Sequence, residues 1–446
     1  MRRALTDGRS SARRGVLVST LGNLAVPVSA LVTAPVLAQA LGVDGRGVLA
    51  SATAPFLLAS AGLTFGLPDA MTYFTAKQFA RGRVVLGVGL LGALVLGLLA
   101  SLIILFFAPV ISKGDEYVTG LITIIGCAVP PAMMAGVVRG AMRGRRLWHL
   151  IALDQVVSSL ARVVAITVLA VQDLLTPMSA GIVTAAATFF GVAVYAKALR
   201  DGGPVGESSP PRRDELGPRQ VGVAVARFGS GVWLGSVAGV LLARVDQVLL
   251  LPLASASALG LYAVAVSIAD VVRVFNVAVR DVVFSTQSAK EDDEKLGLAS
   301  RVSTLTTLVA ASIVWGMSWV LVPLLFGEAF RGSIELVGVL LLGTVVGNVG
   351  SVLAAGLSAR GRPILRSVAI LVGVIVNVVL LVILAPSFGA MGAAVAGGLA
   401  NALTGLVVLV FASKYFDLAP TLFLGVRRGD LSYVGATLRS FLKKGK

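Results

Sequence analysis

Two apolar stretches of this chain carry polar and charged residues at helical spacing. Asp154, Gln155, Ser158, Ser159 and Arg162 fall within an arc of about 140° on a helix that turns about 100° per residue. Asp270, Arg273, Asn276, Arg280 and Asp281 fill a similar arc of about 140°, with Val272, Phe275 and Val279 opposite. A third stretch, "LLARVDQVLL" at 241–250, holds Arg244 and Asp246 two residues apart, so they point to opposite faces. A guanidinium binds phosphate or carboxylate through paired charge-assisted hydrogen bonds. A neighbouring carboxylate either holds the arginine or carries a proton. Arg162, Arg244, Arg273, Arg280 and Asn276 are therefore candidates for lining a hydrated cavity. Asp154, Asp246 and Asp270 are candidates for ion pairing or coupling. Two alternatives stay open: Asp270 and Arg273 can simply pair with each other, and Arg244 can sit at the membrane surface while Asp246 bonds neighbouring backbone.

The elements that carry these residues are membrane spans. The chain has 446 residues, 57% hydrophobic and only 13% charged, against about 25% charged in soluble domains. Its mean hydropathy is +0.92. Apolar segments of about 20 residues recur along its length, which indicates spanning helices rather than barrel strands. Twelve spans are expected, near 16–40, 47–72, 84–107, 118–138, 150–171, 177–196, 221–250, 258–285, 302–325, 334–357, 365–385 and 390–412. A charge at mid-bilayer costs at least about 2.5–3.5 kcal/mol, so it faces a cavity or a partner.

Of the 38 Lys and Arg residues, only Arg46, Lys113 and Arg331 fall in expected outer loops if the N-terminus is cytoplasmic. The net charge of +16 thus follows the positive-inside rule and argues against a nucleic-acid partner. The chain is expected to cross the cytoplasmic membrane many times, with both termini inside. One cysteine, Cys127, and one histidine, His149, exclude a disulfide framework or a Cys/His metal cluster. They leave His149 alone for Ser/His/Asp chemistry. No cofactor and no metal is expected. "ARRGVLV" (12–18) and "AQA" (38–40) loosely resemble a twin-arginine signal and its cleavage site, but the apolar run is too long for that, and the first helix is read as permanent.

The segment 200–220, "RDGGPVGESSPPRRDELGPRQ", reads as a flexible cytoplasmic linker. It separates an N-terminal six-helix bundle (1–199) from a C-terminal one (221–415). The halves look like parallel repeats: "GVLASA" at Gly47 parallels "GLYAVA" at Gly260, and "MRGRR" (142–146) parallels "ARGRP" (359–363). The expected fold class is an all-α polytopic membrane protein of twelve helices in two pseudo-symmetric bundles. Asn23, Asn348, Asn377 and Asn401 read as interhelical glue, and Pro27, Pro35 and Pro55 as candidate kinks. The tail 416–446 is basic; 431–446 puts Leu431, Val434, Leu438 and Leu442 on one face, as in an amphipathic surface helix.

"LGVDGRGVLA" (41–50), "FGLPDAMTYFTA" (65–76), "ARVDQVLLLPLASASALGLYAVAVSIAD" (243–270) and "ARGRPILRSVAILVGVIVNVVLLVILAPSFGAMGAAVAGGLANAL" (359–403) resemble polysaccharide-export flippases of the Wzx type. These belong to the MOP superfamily, with the MATE exporters and the lipid II flippases. Arg244-x-Asp246 followed by Gly260-x-Tyr262, and the run from Pro386 to Ala394, carry most of the resemblance. It implies a transporter, not an enzyme, with two bundles around a cavity that opens alternately to each side. The implied cargo is an oligosaccharide on a polyprenyl pyrophosphate, with Arg162 and Arg273 receiving the pyrophosphate and Arg244 further along. The implied partners are that lipid-linked oligosaccharide, membrane lipids, and a polysaccharide polymerase and glycosyltransferases. The chain has two helices fewer than lipid II flippases usually carry. It also lacks the acidic residue on helix 1 common in MATE exporters, which weighs against a cation-coupled drug antiporter.

Overall fold

The structure, a computed structural model, describes residues 2–77, 82–200, 217–289 and 291–425. The expected tail helix and most of the linker lie outside the described residues, as do the side chains of Asn23 and Asp281. The described residues are helical and contain no strand. In order, the helices are α1 (Arg2–Gly62), α2 (Leu67–Lys77), α3 (Gly82–Ile111), α4 (Glu116–Gly126), α5 (Val129–Gly144), α6 (Trp148–Val171), α7 (Pro177–Val192), α8 (Ala196–Arg200), α9 (Pro218–Leu253), α10 (Ala256–Ala289), α11 (Asp293–Phe326), α12 (Ser333–Ala359) and α13 (Pro363–Phe416).

Ten helical stretches among the described residues are long and apolar enough to cross a bilayer. Two of them, Ala25–Lys77 and Pro363–Phe416, have 53 and 54 residues. A straight helix of that length would run about 80 Å, against a hydrocarbon core of about 30 Å. Each instead breaks at a glycine with positive φ: Gly42 (φ 66°, ψ −175°) and Gly389 (φ 55°, ψ −129°). Residues with a Cβ rarely adopt such angles. The chain folds back at both places. Leu37 and Leu49 share one apolar cluster, and Gly373 packs against Ala400 and Thr404. Counting each arm separately gives the twelve expected crossings. The three prolines of α1 lie in helical backbone, so the break is set by Gly42 and not by Pro27, Pro35 or Pro55.

α3 shows how the sequence chooses its faces. Gly89, Ala93, Gly97, Ala100, Ile104 and Ala108 are buried, whereas Leu91, Leu98, Leu102 and Phe106 are exposed. Small residues admit the neighbouring backbones and large ones are left for lipid, the pattern of helices packed within a membrane. The helices group into two compact units, 1–260 and 261–446. In the first, α1 packs on α6, α9 and α4, and α5 packs on α3 and α2. In the second, α12 lies between α11 and α13, around a core that includes Leu296, Val352, Leu353, Leu357 and Phe423. This grouping sets α9, which follows the linker in sequence, beside α1, α2 and α3.

Candidate functional site: ionisable residues within the helices

The first polar network forms around Asp154 on α6, which is fully buried. Arg139 on α5 donates from Nε to Asp154 Oδ2 at 2.6 Å and from Nη2 to Oδ1 at 3.1 Å. The Tyr195 hydroxyl, itself buried, donates to Oδ2 at 2.8 Å. Ser158 lies 3.4 Å from Oδ1, one helical turn on. Arg139 Nη2 also reaches the Thr188 carbonyl of α7 at 3.2 Å. Burying a carboxylate is costly unless it is paired and hydrogen-bonded, and here both conditions are met. α7 closes over the site because residue 191 is glycine: an added Cβ would overlap Asp154 Oδ1 and Ser158 Oγ.

Asp154 therefore binds Arg139, and not Arg162 as its place on the helical wheel suggests. Sequence reasoning placed Arg139 in an inner loop because the apolar run before it ends at 138. In the structure α5 continues to Gly144, which carries Arg139 opposite Asp154. Arg162 lies eight residues further along α6, about 12 Å at 1.5 Å per residue. It is half-buried, its Nε is sealed from solvent, and it makes no hydrogen bond or ion pair to any described residue.

In α9, Arg244 is half-buried and its Nη1 reaches Gln247 Oε1 at 3.4 Å. Asp246 is buried, and its Oδ1 accepts the Gln247 amide at 2.8 Å. Bonding to neighbouring backbone is one of the two alternatives its sequence left open.

The polar stripe of α10 divides in two. Arg273 Nη1 bonds Asp270 Oδ1 at 3.1 Å within the helix, with side chains 45% and 36% exposed. Further along α10 the stripe turns toward α11 and α12. Asn276 is buried and its Oδ1 accepts from the Thr307 hydroxyl of α11 at 2.7 Å. Arg280 Nη1 donates to Ser351 Oγ of α12 at 3.1 Å. Asn348 of α12 adds a bond from Nδ2 to Ser303 Oγ of α11 at 3.0 Å. Asn276, Arg280 and Asn348 thus tie α10, α11 and α12 together, while the Asp270–Arg273 pair stands on an open face. Arg162 and Arg273 belong to different units. Sequence reasoning missed Thr307 and Ser351, since lone hydroxyls in apolar helices carry no spacing signal.

An apolar chain of twelve crossings, with arginines kept inside its helices, has counterparts among known proteins. Residues 12–288 match the family described as "Polysaccharide biosynthesis protein". The chain belongs to that family. The chain is also 28% identical over 163 residues to stage V sporulation protein B of Bacillus subtilis (strain 168), a match covering 35% of this chain and 32% of that one. The chain thus spans about a third of the length of that curated relative. Among solved structures, it is similar to an inward-facing multidrug resistance MATE family transporter of the MOP superfamily. There the TM-score is 0.71 at 14% identity, over 90% of this chain and 94% of that one. It is also similar to the lipid II flippase MurJ in an inward closed conformation, with a TM-score of 0.69 at 13% identity, over 90% and 88%. These neighbours establish the fold. The chain is a multi-pass membrane protein of that family, and it shares its fold with these two structures.

Proposed function

We propose that the protein moves a polyprenyl-pyrophosphate-linked oligosaccharide from the inner to the outer leaflet of the cytoplasmic membrane, by alternating access, for cell-surface polysaccharide synthesis. The observation that carries this reading is Arg162: a half-buried cation within a membrane helix, with no carboxylate or other partner among the described residues, in a member of the polysaccharide biosynthesis family. A lone intramembrane arginine is a functional residue by default, and the anion that suits it best is a phosphate. In this reading Arg273 and Arg244 serve the same cargo further along, and the two halves 1–199 and 221–415 are the moving parts. Both termini face the cytoplasm. The polymerase and glycosyltransferases that lengthen and assemble the glycan are the natural partners.

The likeness to a MATE transporter favours a second reading, cation-coupled export of small molecules. Sealed vesicles with the purified protein decide between them. A labelled polyprenyl-pyrophosphate oligosaccharide is placed on one leaflet, and its exposure to a sugar-cleaving enzyme outside is timed. Flipping at least about tenfold above empty vesicles, lost in Arg162→Ala/Arg273→Ala, is expected; tenfold corresponds to about 1.4 kcal/mol. No acceleration with any glycan or ion gradient, together with dye efflux, would establish the second reading instead.

A further inference from the structure

Arg162 has a neighbour of the same kind. Arg46 stands four residues after the chain reversal at Gly42, on the returning arm of α1. Its sequence places it in an outer loop, but it is half-buried, with its Nε sealed from solvent and without a hydrogen-bond partner. Arg46 makes no hydrogen bond or ion pair to any described residue, and neither does Arg162. α1 packs on α6, and Leu49 and Ile166, each within about one turn of its arginine, share one apolar cluster, which brings Arg46 and Arg162 to the same part of the first unit.

The surrounding structure leaves this pair uncompensated. Asp154, the carboxylate on α6, is taken by Arg139 and Tyr195. Asp44, two residues before Arg46, accepts from the Ser257 hydroxyl. Other arginines do have carboxylates: Arg273 has Asp270, Arg331 has Glu328 and Arg360 has Asp293. The backbone around Arg46 is also held in place. Gly47 packs directly on Ala256 and Gly260, where an added Cβ would overlap the Ala256 carbonyl. Leu37, Leu49, Ile166, Leu175 and Ala180 form an apolar cluster beside it. Leu49 follows Arg46 by less than one turn, and Ile166 follows Arg162 by one turn.

Two like charges held close in an apolar setting repel, and each sealed N–H lacks an acceptor. An anion between them corrects both faults at once, because it supplies acceptors and neutralises the repulsion. We infer that Arg46 and Arg162 together form a binding site, within the first unit, for a phosphate or diphosphate group. Two planar guanidinium forks suit an anion with several oxygens on adjacent centres, and a diphosphate presents them. That the occupant is the diphosphate of a carrier lipid rests on the function proposed above. The anion site itself does not, because a phospholipid headgroup or free phosphate has the same chemistry.

The full chain in a neutral detergent tests this with inorganic pyrophosphate as the probe. Arg46→Gln is expected to raise the melting temperature without ligand, by relieving repulsion. It is also expected to weaken pyrophosphate binding by about 10- to 100-fold, the size of a lost charge-assisted hydrogen bond. Arg162→Gln should do the same. In the unmodified protein, pyrophosphate should slow phenylglyoxal modification of Arg46 and Arg162, read by mass spectrometry, and leave exposed Arg331 unprotected. This arm needs no variant to fold. Displacement of pyrophosphate by phosphatidylglycerol would identify the occupant as a headgroup, and displacement only by a polyprenyl diphosphate would identify it as the carrier lipid. The inference is overturned if affinity is unchanged in both variants, if labelling is indifferent to pyrophosphate, or if Arg46→Gln lowers the ligand-free melting temperature. Flipping that persists in Arg46→Gln, with binding unchanged there, would remove the two-arginine site and leave the proposed function. Arg46-dependent binding by a protein that flips no glycolipid would do the reverse.

Discussion

Asp154–Arg139 and Asp270–Arg273 are the same chemical pair in two settings. The first joins α6 to α5, with its carboxylate at 0% exposure and two nitrogens of one arginine on it. The second spans three residues of a single helix and is more than a third exposed on both sides. The first pair fixes how helices pack, because neither charge can be buried without the other. The second fixes nothing beyond its own turn, which leaves Arg273 able to exchange Asp270 for another anion. A charged residue in a membrane helix is therefore not by itself a cargo residue; what the neighbouring helices do to it decides.

The largest expected effect is at the buried pair. Asp154→Ala strands Arg139 and should cost about 3–5 kcal/mol, read as loss of folded protein on size exclusion after mild heating. If this variant melts as the parent does, the two pairs are alike and the contrast fails. Gly191→Ala comes next. Its methyl would overlap Asp154 Oδ1, and overpacking of this kind costs about 1–3 kcal/mol, seen as a lower melting temperature. The smallest effect is at the exposed pair, where Asp270→Ala should cost about 0.2–1 kcal/mol if its face is wet. A loss of several kcal/mol there would mean that the open face of α10 meets hydrocarbon, which would sharpen the comparison by placing both pairs in dry surroundings.

Much of the fold was legible because apolar run length reports directly on bilayer thickness. The two reversals at Gly42 and Gly389 were readable only as short gaps between runs. That glycine forms them became evident from the backbone, since positive φ leaves no mark in hydropathy. The site was less legible. Helical spacing placed Asp154 and Arg162 on one face of α6, yet the true partner, Arg139, sits on another helix just past the end of an apolar run. Arg46 was assigned to a loop for the same reason: hydropathy sees the charge and ends the span there. On α10, spacing found the stripe but not its division, because the hydroxyls of Thr307 and Ser351 that capture Asn276 and Arg280 lie on other helices.

In the second unit, Gly343 packs against Gly398 and Gly350 against Gly405, backbone on backbone, and Gly347 meets Asn401 between them. Three such contacts at intervals of about one turn act like a keyed shaft. Sliding α12 along α13 would drive side chains into positions where only hydrogen now fits, and rotating it would do the same. Whatever motion this unit makes, α12 and the final arm of α13 travel as one rigid strut, and bending is left to parts of the chain that are not locked by glycine.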